Sequence, residues 1–499
     1  MWKTPHLQYL IGVQMQPIQI IKGTTRAAVK ISPSDPAASY IQMVTRHNLT
    51  DYDFNPRYRK FFPNKRYLNY DVGKSMLFVP INALDILTST IEEYGCEYVV
   101  TDEKPYKTRD LSIKMKDSFV PREHQIPAIE YLKQDEPARK GLAIQTGSGK
   151  TVSSIAGMLA YGKVGMIAVS RLHHQWVRSI FDFTTATKEQ VCVIQGFQSL
   201  ANAMEMESKP EIFVFSLETL REYCKHQGAY ADVPPFQKFC EYFGIGFKIF
   251  DEVHLNFHAC TLIDLSCNIP NNVYLTATFT SGNPATKKIF DLVYPSNMQF
   301  GKDNIEKYTI AYLYSFFGNV PERAVTKQRG YDHKGYEKYL LKRPTLLKGF
   351  FSNVIHPLIM SHYINVKNPG EKLAIFVTRL NMVDALYKWC VEKYPEYKTV
   401  KYIGGVPDSV LVDNDIIITT DKSCGCGTDI KNLRAVINTV STKSPPAILQ
   451  VFGRLRKIPG VDTEYADLCD QNISAHRRHQ EARIYILRKN AKEIKQLQV

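Results

Sequence analysis

From about residue 140 onward the chain repeats one pattern, a short apolar run rich in β-branched or aromatic residues followed by an amphipathic stretch. The runs fall at Leu142–Gln145, Gly165–Ser170, Ile212–Ser216, Lys248–Asp251 and Val273–Thr276, then at Leu373–Val377, Thr399–Ile403, Asp415–Thr419, Ala435–Val440 and Arg483–Leu487. Strands buried on both faces lose the alternation of a half-exposed sheet, and parallel strands need helical crossovers between them. The pattern therefore predicts α/β architecture with two tandem parallel sheets, separated by a Pro-, Gly- and charge-rich break near 295–350. Residues 1–115 lack this alternation and are rich in Pro, Tyr and basic residues, which predicts a small α+β domain. The expected division is 1–115, 116–300 and 301–499, with the tail "KNAKEIKQLQV" read as a solvated helix end.

Lys and Arg outnumber Asp and Glu by 63 to 49, a net charge of +14 over 499 residues. Such an excess favours polyanionic partners, nucleic acid first. None of the ten cysteines forms a C-x-x-C pair, and Cys424 and Cys426 have no second half-site, so reduced thiols and no structural zinc are expected. No apolar run approaches the ~18 residues of a membrane span, and the first residues lack a signal-peptide core. A cytoplasmic protein with no membrane partner is the expectation.

"GLAIQTGSGKT", residues 141–151, resembles a G-x-x-x-x-G-K-[ST] phosphate loop with Ile144 in place of its first glycine. "LAIQ" supplies the strand and "GKTVSSIAGMLA" the helix whose N-terminus faces an anion. Ile144 falls at the strand end, ahead of the phosphate nest formed by Thr146, Gly147, Ser148 and Gly149. Lys150 would reach the β/γ-phosphates of ATP, and the Thr151 hydroxyl would ligate Mg²⁺. About a hundred residues later, "FKIFDEVH" ends an apolar strand in two carboxylates. Asp251 would hold the Mg²⁺ shell and Glu252 would polarise the attacking water. Upstream, Arg122 and Gln125 in "FVPREHQIPAIEYL" are placed to meet the base, since a Gln amide offers donor and acceptor together.

"QTGSGKT", "DEVH", "LTAT", "GTDI" and "QVFGRLR" occur in the order of the superfamily 2 helicase motifs, and the chain resembles that family over residues 119–487. The resemblance implies two RecA-like domains with ATP in the cleft between them. It implies that Gln450, Arg454 and Arg456 of the second domain meet the γ-phosphate. The family reads G-R-x-x-R where this chain has Gly453-Arg454-Leu455-Arg456-Lys457, so either arginine could be the finger. Gly427 and Asp429 match the motif that senses ATP and backbone together. His254, Thr276 and Thr278 match the residues that couple nucleotide state to nucleic acid. Backbone contacts are implied at Arg171, Thr219 and Arg379.

"YDFNPRYRKFFPNKRYLNYD" places Arg57, Arg59, Lys60, Lys65 and Arg66 among seven aromatics. Basic side chains track phosphates and aromatic faces stack on bases. Phe54, Tyr58 and Phe61 are read first as the core of a small domain. With the strand-like "MLFVPI" and the helix-like "NALDILTSTIEEYGCEYVV", this region resembles the N-terminal domain of phage fork-remodelling and branch-migration helicases of the UvsW type. The resemblance implies a monomeric DNA motor moving 3′ to 5′ on forks and junctions, in phage replication, recombination and repair inside an infected bacterial cell. An RNA helicase or transcript-release factor, as in poxvirus relatives, shares every motif. A restriction-complex motor subunit is a third reading, though no nuclease-like acidic/lysine motif accompanies the motor motifs.

Overall fold

The computed structural model describes residues 16–32, 36–55, 58–71, 73–144, 149–170, 173–226, 234–276, 279–280, 284–301, 307–327, 330–420, 423 and 430–499. The chain forms two compact units, residues 1–144 with 149–302, and residues 303–499.

The first unit begins with a five-stranded mixed sheet, in the order Asn69–Asp71, Met76–Pro80, Arg26–Lys30, Ile18–Lys22, Tyr98–Asp102. All its pairings are antiparallel except the last, where Ile18–Lys22 runs parallel to Tyr98–Asp102. Helices Pro36–Asn48 and Leu84–Glu93 cover it. This small domain shares a core with the larger domain C-terminal to it: Ile20, Val29 and Leu87 belong to the same buried cluster as Phe213, Phe239 and Phe290. Polar contacts tie the same seam, since the Thr25 hydroxyl donates to the Asp264 carbonyl at 2.9 Å and the Arg26 guanidinium to the Leu265 carbonyl at 2.8 Å.

That larger domain is built on a seven-stranded, wholly parallel sheet. Its order is Val191–Ile194, Ile212–Ser216, Gly165–Val169, Phe247–Phe250, Asn271–Thr276, Arg139–Ala143, Gln299–Phe300. The Lys248 side chain sits inside this core because Asp264 pairs with it, and Tyr274 donates to the other Asp264 oxygen at 2.8 Å. The second unit carries another seven-stranded parallel sheet. Its order is Thr399–Tyr402, Ile416–Thr420, Lys372–Val377, Leu433–Asn438, Thr463–Asp470, Thr309–Phe316, Glu493–Gln498. The fold is thus two tandem RecA-like parallel-sheet domains preceded by a smaller mixed-sheet domain.

Three expectations are corrected. Arg483–Leu487 is not a strand but part of the helix Ser474–Asn490, which turns Arg483 inward to an ion pair with Asp467 at 2.6 Å. The tail is not a helix end: Glu493–Gln498 is an edge strand, held by parallel pairing to Thr309–Phe316. "NALDILTSTIEEYGCEYVV" is helical only to Glu93, and after Gly95 (φ +84°) it becomes the strand Tyr98–Asp102.

Candidate nucleotide and nucleic-acid sites

The strand Arg139–Ala143 leads towards the loop, and the helix Lys150–Tyr161 leaves it. Gly149 stands immediately before that helix with φ +90°, a left-handed conformation that glycine adopts without strain. A Cβ there would also collide with the Gln125 amide nitrogen, so two constraints demand glycine. Gln125 is buried, and its Oε1 accepts the Arg122 backbone N–H at 2.9 Å, which locks the amide against the loop's last glycine. Thr151 follows in the first helical turn, half-buried. Thr146, Gly147 and Ser148 lie outside the described residues.

Lys150 is 9% exposed, and its ammonium contacts Glu252 Oε1 at 3.3 Å. Asp251 and Glu252 follow the strand Phe247–Phe250, two strands away from the phosphate-loop strand across the sheet. Asp251 accepts the Trp176 indole N–H at 3.0 Å. Burial first, and the Glu252 charge second, raise the Asp251 pKa to about 6. Glu252 takes a left-handed backbone, φ +51°, which is costly for a residue with a Cβ and is a form of strain found at functional sites. His254 Nδ1 lies 3.3 Å from Glu252 Oε2 and 2.7 Å from the Thr276 hydroxyl, and burial lowers its pKa, so the ring is neutral at pH 7. A continuous polar line therefore runs Lys150, Glu252, His254, Thr276. The donors fit a hard divalent cation held jointly with phosphate: one half-buried carboxylate whose ionisation is penalised, and a Thr hydroxyl at a helix start. Among the described residues no group of three or more His, Cys, Asp or Glu could hold a metal by itself.

In the second unit, Gln450 lies on the helix Pro445–Phe452. Arg454 is only 2% exposed, whereas Arg456 is half-buried and donates to the Gly453 carbonyl. The Thr378 and Arg379 backbone N–H groups donate to the two oxygens of buried Glu337, at 2.6 and 2.7 Å. Thr219 is buried and its hydroxyl accepts the Gly196 N–H at 2.8 Å. Arg57, Arg171, Thr278, Gly427 and Asp429 lie outside the described residues.

The basic–aromatic segment forms a two-stranded hairpin of its own, Thr50–Asn55 against Lys60–Arg66, separate from the five-stranded sheet. Every residue of Lys60–Arg66 is exposed. The core reading of its aromatics is corrected: Tyr58 is 57% exposed and Phe61 67%. A two-stranded ribbon has no layer above it to bury them. The side chain of Phe54 lies outside the described residues. Arg59, Lys60, Lys65 and Arg66 form no ion pair among the described residues. The hairpin's base is seated firmly, because buried Asp51 accepts from the Tyr67 hydroxyl at 3.3 Å and the Thr286 hydroxyl at 3.0 Å. Tyr67 stacks on Phe257 at 4.7 Å, and the Arg66 carbonyl meets His258 Nε2 at 3.0 Å. Phe257 opens the helix that follows the Asp251–Asn256 turn.

Sequence reasoning missed Trp176 and the Tyr67–Phe257 stack. Trp176 belongs to no spaced motif, and only its indole aimed at Asp251 reveals it.

No protein-family profile matches this chain, and no curated protein sequence matches it. Its fold is similar to that of the ATP-dependent Type ISP restriction-modification enzyme LlaBIII bound to DNA. That likeness has TM-score 0.50 and 15% identity over 77% of this chain, and it spans only 32% of the other. T4 UvsW aligns over 97% of this chain and 100% of its own at 15% identity and TM-score 0.36. S. cerevisiae Dbp5 bound to RNA and ADP BeF3 aligns over 76% of this chain and 90% of its own, at 16% identity and TM-score 0.48. The likeness concerns the fold, two tandem RecA-like parallel-sheet domains.

Proposed function

We propose that this protein is an ATP-dependent DNA helicase or translocase that remodels forks and junctions, moving 3′ to 5′. The observation that carries the reading is the Lys150–Glu252 ion pair beside half-buried Asp251, at the strand ends of a parallel sheet. That is where open α/β sheets bind ligands. An incoming phosphate competes for the Lys150 ammonium and frees Glu252 to orient water and take its proton. The neutral His254 then passes the change in Glu252 to Thr276. Asp251 and Thr151 would hold Mg²⁺, which supplies charge neutralisation on the phosphates when bound. Gln450 with Arg454 or Arg456, and Gly427 with Asp429, complete the nucleotide contacts in this reading. Arg122 and Gln125 meet the base.

DNA contacts are assigned to Arg171, Thr219 and Arg379 and to the hairpin cations Arg57, Arg59, Lys60, Lys65 and Arg66. The exposed rings of Tyr58, Phe61 and Phe62 offer stacking faces that favour opened base pairs over closed ones. Tyr67, at the base of the hairpin, stacks on Phe257, which opens the helix after the Asp251–Asn256 turn, and this contact would link duplex splitting to hydrolysis. The protein acts as a monomer in the cytoplasm of an infected bacterial cell; among the described residues no helix is long and apolar enough to cross a membrane. The test is ATPase stimulation and unwinding on forked DNA, Holliday junctions and RNA duplexes side by side. DNA-selective stimulation and fork unwinding are expected. Stimulation by RNA alone would transfer the reading to an RNA helicase, and no stimulation by either would end it.

A further inference from the structure

In the second unit a groove of about 750 Å³ is lined by Lys334, Lys338, Lys342, Arg343 and Arg379, with Asp332 as its one carboxylate. None of these five cations belongs to an ion pair with a carboxylate among the described residues. We infer that this groove binds the phosphodiester backbone of a nucleic acid, independently of its sequence. The inference rests on the reading of the chain as a nucleic-acid motor and adds a contact surface to it.

Lys334 and Lys338 lie on the helix His333–Leu341, and Lys342 caps its end. Spacing of four residues puts the three on one face, rising about 6 Å per step. Like charges at this spacing oppose each other and weaken a helix, so a stripe whose cations pair with no carboxylate among the described residues is costly unless an anion covers it. An ordinary solvated helix face intersperses the two signs.

The other face of the same helix makes the groove a fixed shape. Tyr336 is buried and donates to Asp470 Oδ2 at 3.0 Å. Glu337, also buried, receives the backbone N–H groups of Thr378 and Arg379, so the lysine stripe and Arg379 are held in one register. Among the described residues Arg379 Nε is buried with no hydrogen-bond partner, a donor left for an outside acceptor. The Arg343 guanidinium covers one face of the Tyr339 ring, 3.6 Å from its centroid. Ammonium groups spaced along a helix meet phosphates, and phosphate contacts carry no sequence information.

The test is binding of the full chain to fluorescent single-stranded DNA and RNA oligonucleotides across a salt series. The variants are Lys334→Ala/Lys338→Ala/Lys342→Ala and the charge-preserving triple Lys→Arg. Each lost phosphate contact removes ~0.7 from the slope of log K against log salt on single strands. The Ala triple should flatten the slope by about 2, and the Arg triple should keep it. An Ala triple that melts like the wild type and keeps the full slope overturns the inference while leaving the motor reading intact. Should the Ala triple fail to fold, Lys334→Ala/Lys338→Ala carries the test: a slope reduced by about two contacts supports the groove and an unchanged slope overturns it. Absence of any binding by the wild type would instead remove the motor reading itself.

Discussion

The two seven-stranded sheets have the same architecture, and each carries an aspartate whose pKa desolvation raises to about 6: half-buried Asp251 in the first, fully buried Asp467 in the second. Their surroundings differ. Asp467 is sealed, both it and Arg483 being inaccessible, and Asn438 donates to its other oxygen at 3.2 Å. Asp251 shares its place with a second carboxylate, Glu252, whose side chain is 20% exposed and whose backbone is strained. A shifted pKa alone therefore marks burial, and structural ion pairs produce it as readily as active sites do. What separates the two is unspent capacity: a strained, partly open carboxylate next to a lysine is poised for a ligand, and a closed ion pair is not. Folds of this kind host many chemistries, and the strand ends decide which.

The largest effects should come from the open site. Lys150→Ala is expected to abolish ATP turnover, measured by phosphate release; near wild-type hydrolysis would move the phosphate loop elsewhere. Glu252→Gln should also stop turnover yet keep bound nucleotide, seen with a fluorescent ATP analogue, because the amide retains size but takes no proton. Arg454→Ala should cost ~10³-fold in kcat, with Arg456→Ala the smaller loss and ATP binding retained in both. Equal, small losses would mean that neither arginine reaches the reacting phosphate.

The sealed pair should answer in stability. Asp467→Asn strands the Arg483 charge and is expected to destabilise the protein by about 3–5 kcal/mol in denaturant titration. Asp251→Asn should do the opposite. A carboxyl with a folded pKa of about 6 against an unfolded value near 3.8 stabilises fully below pH 4 and loses that stability as pH rises through 6. Removing the charge should therefore raise stability at pH 7 in the absence of nucleotide, by up to ~3 kcal/mol. It should also flatten the profile between pH 4 and 6. If both substitutions destabilised equally, the contrast between the two sheets would collapse.

The smallest effect expected on hydrolysis comes from the hairpin. Changing Arg57, Arg59, Lys60, Lys65 and Arg66 to Ala removes up to five phosphate contacts, each ~0.9 in salt slope on duplex DNA. Fork binding should weaken and its salt dependence flatten, and unwinding should fall much further than ATPase on single-stranded DNA. An unchanged slope in a folded variant would reduce the segment to a solvated face.

The sheets were legible in sequence because a strand covered on both faces must be apolar along its length, as Ile212–Ser216 is. Thr463–Asp470 escaped notice for the converse reason. Its Glu464, Asp467 and Asp470 interrupt the apolar run that marks such a strand, yet all three are buried, matched by His362 and Arg434, by Arg483, and by Tyr336. Partners far away in sequence convert polar residues into core. The segment "RIYIL" misled in the same way, since its β-branched pattern hides an arginine that a helix delivers to Asp467. In the candidate site, Lys150, Asp251 and Glu252 were legible as spaced motifs. The strain at Glu252, the indole on Asp251 and the exposure of Tyr58 and Phe61 belong to tertiary structure alone.

Because Ile20, Leu87, Phe213 and Phe290 belong to one continuous core, the first hundred residues are not an attachment that a gene truncation could lift cleanly away. Cutting between Glu103 and Lys116 would leave two raw apolar faces, and Thr25, Arg26 and Asn82 would each lose a backbone carbonyl partner across the seam. A shortened chain should be recovered as aggregate, and a protease nick in this linker should yield fragments that stay together until denatured. Swapping this region between related proteins would then succeed only when the packing partners on the helices around 239 and 290 travel with it.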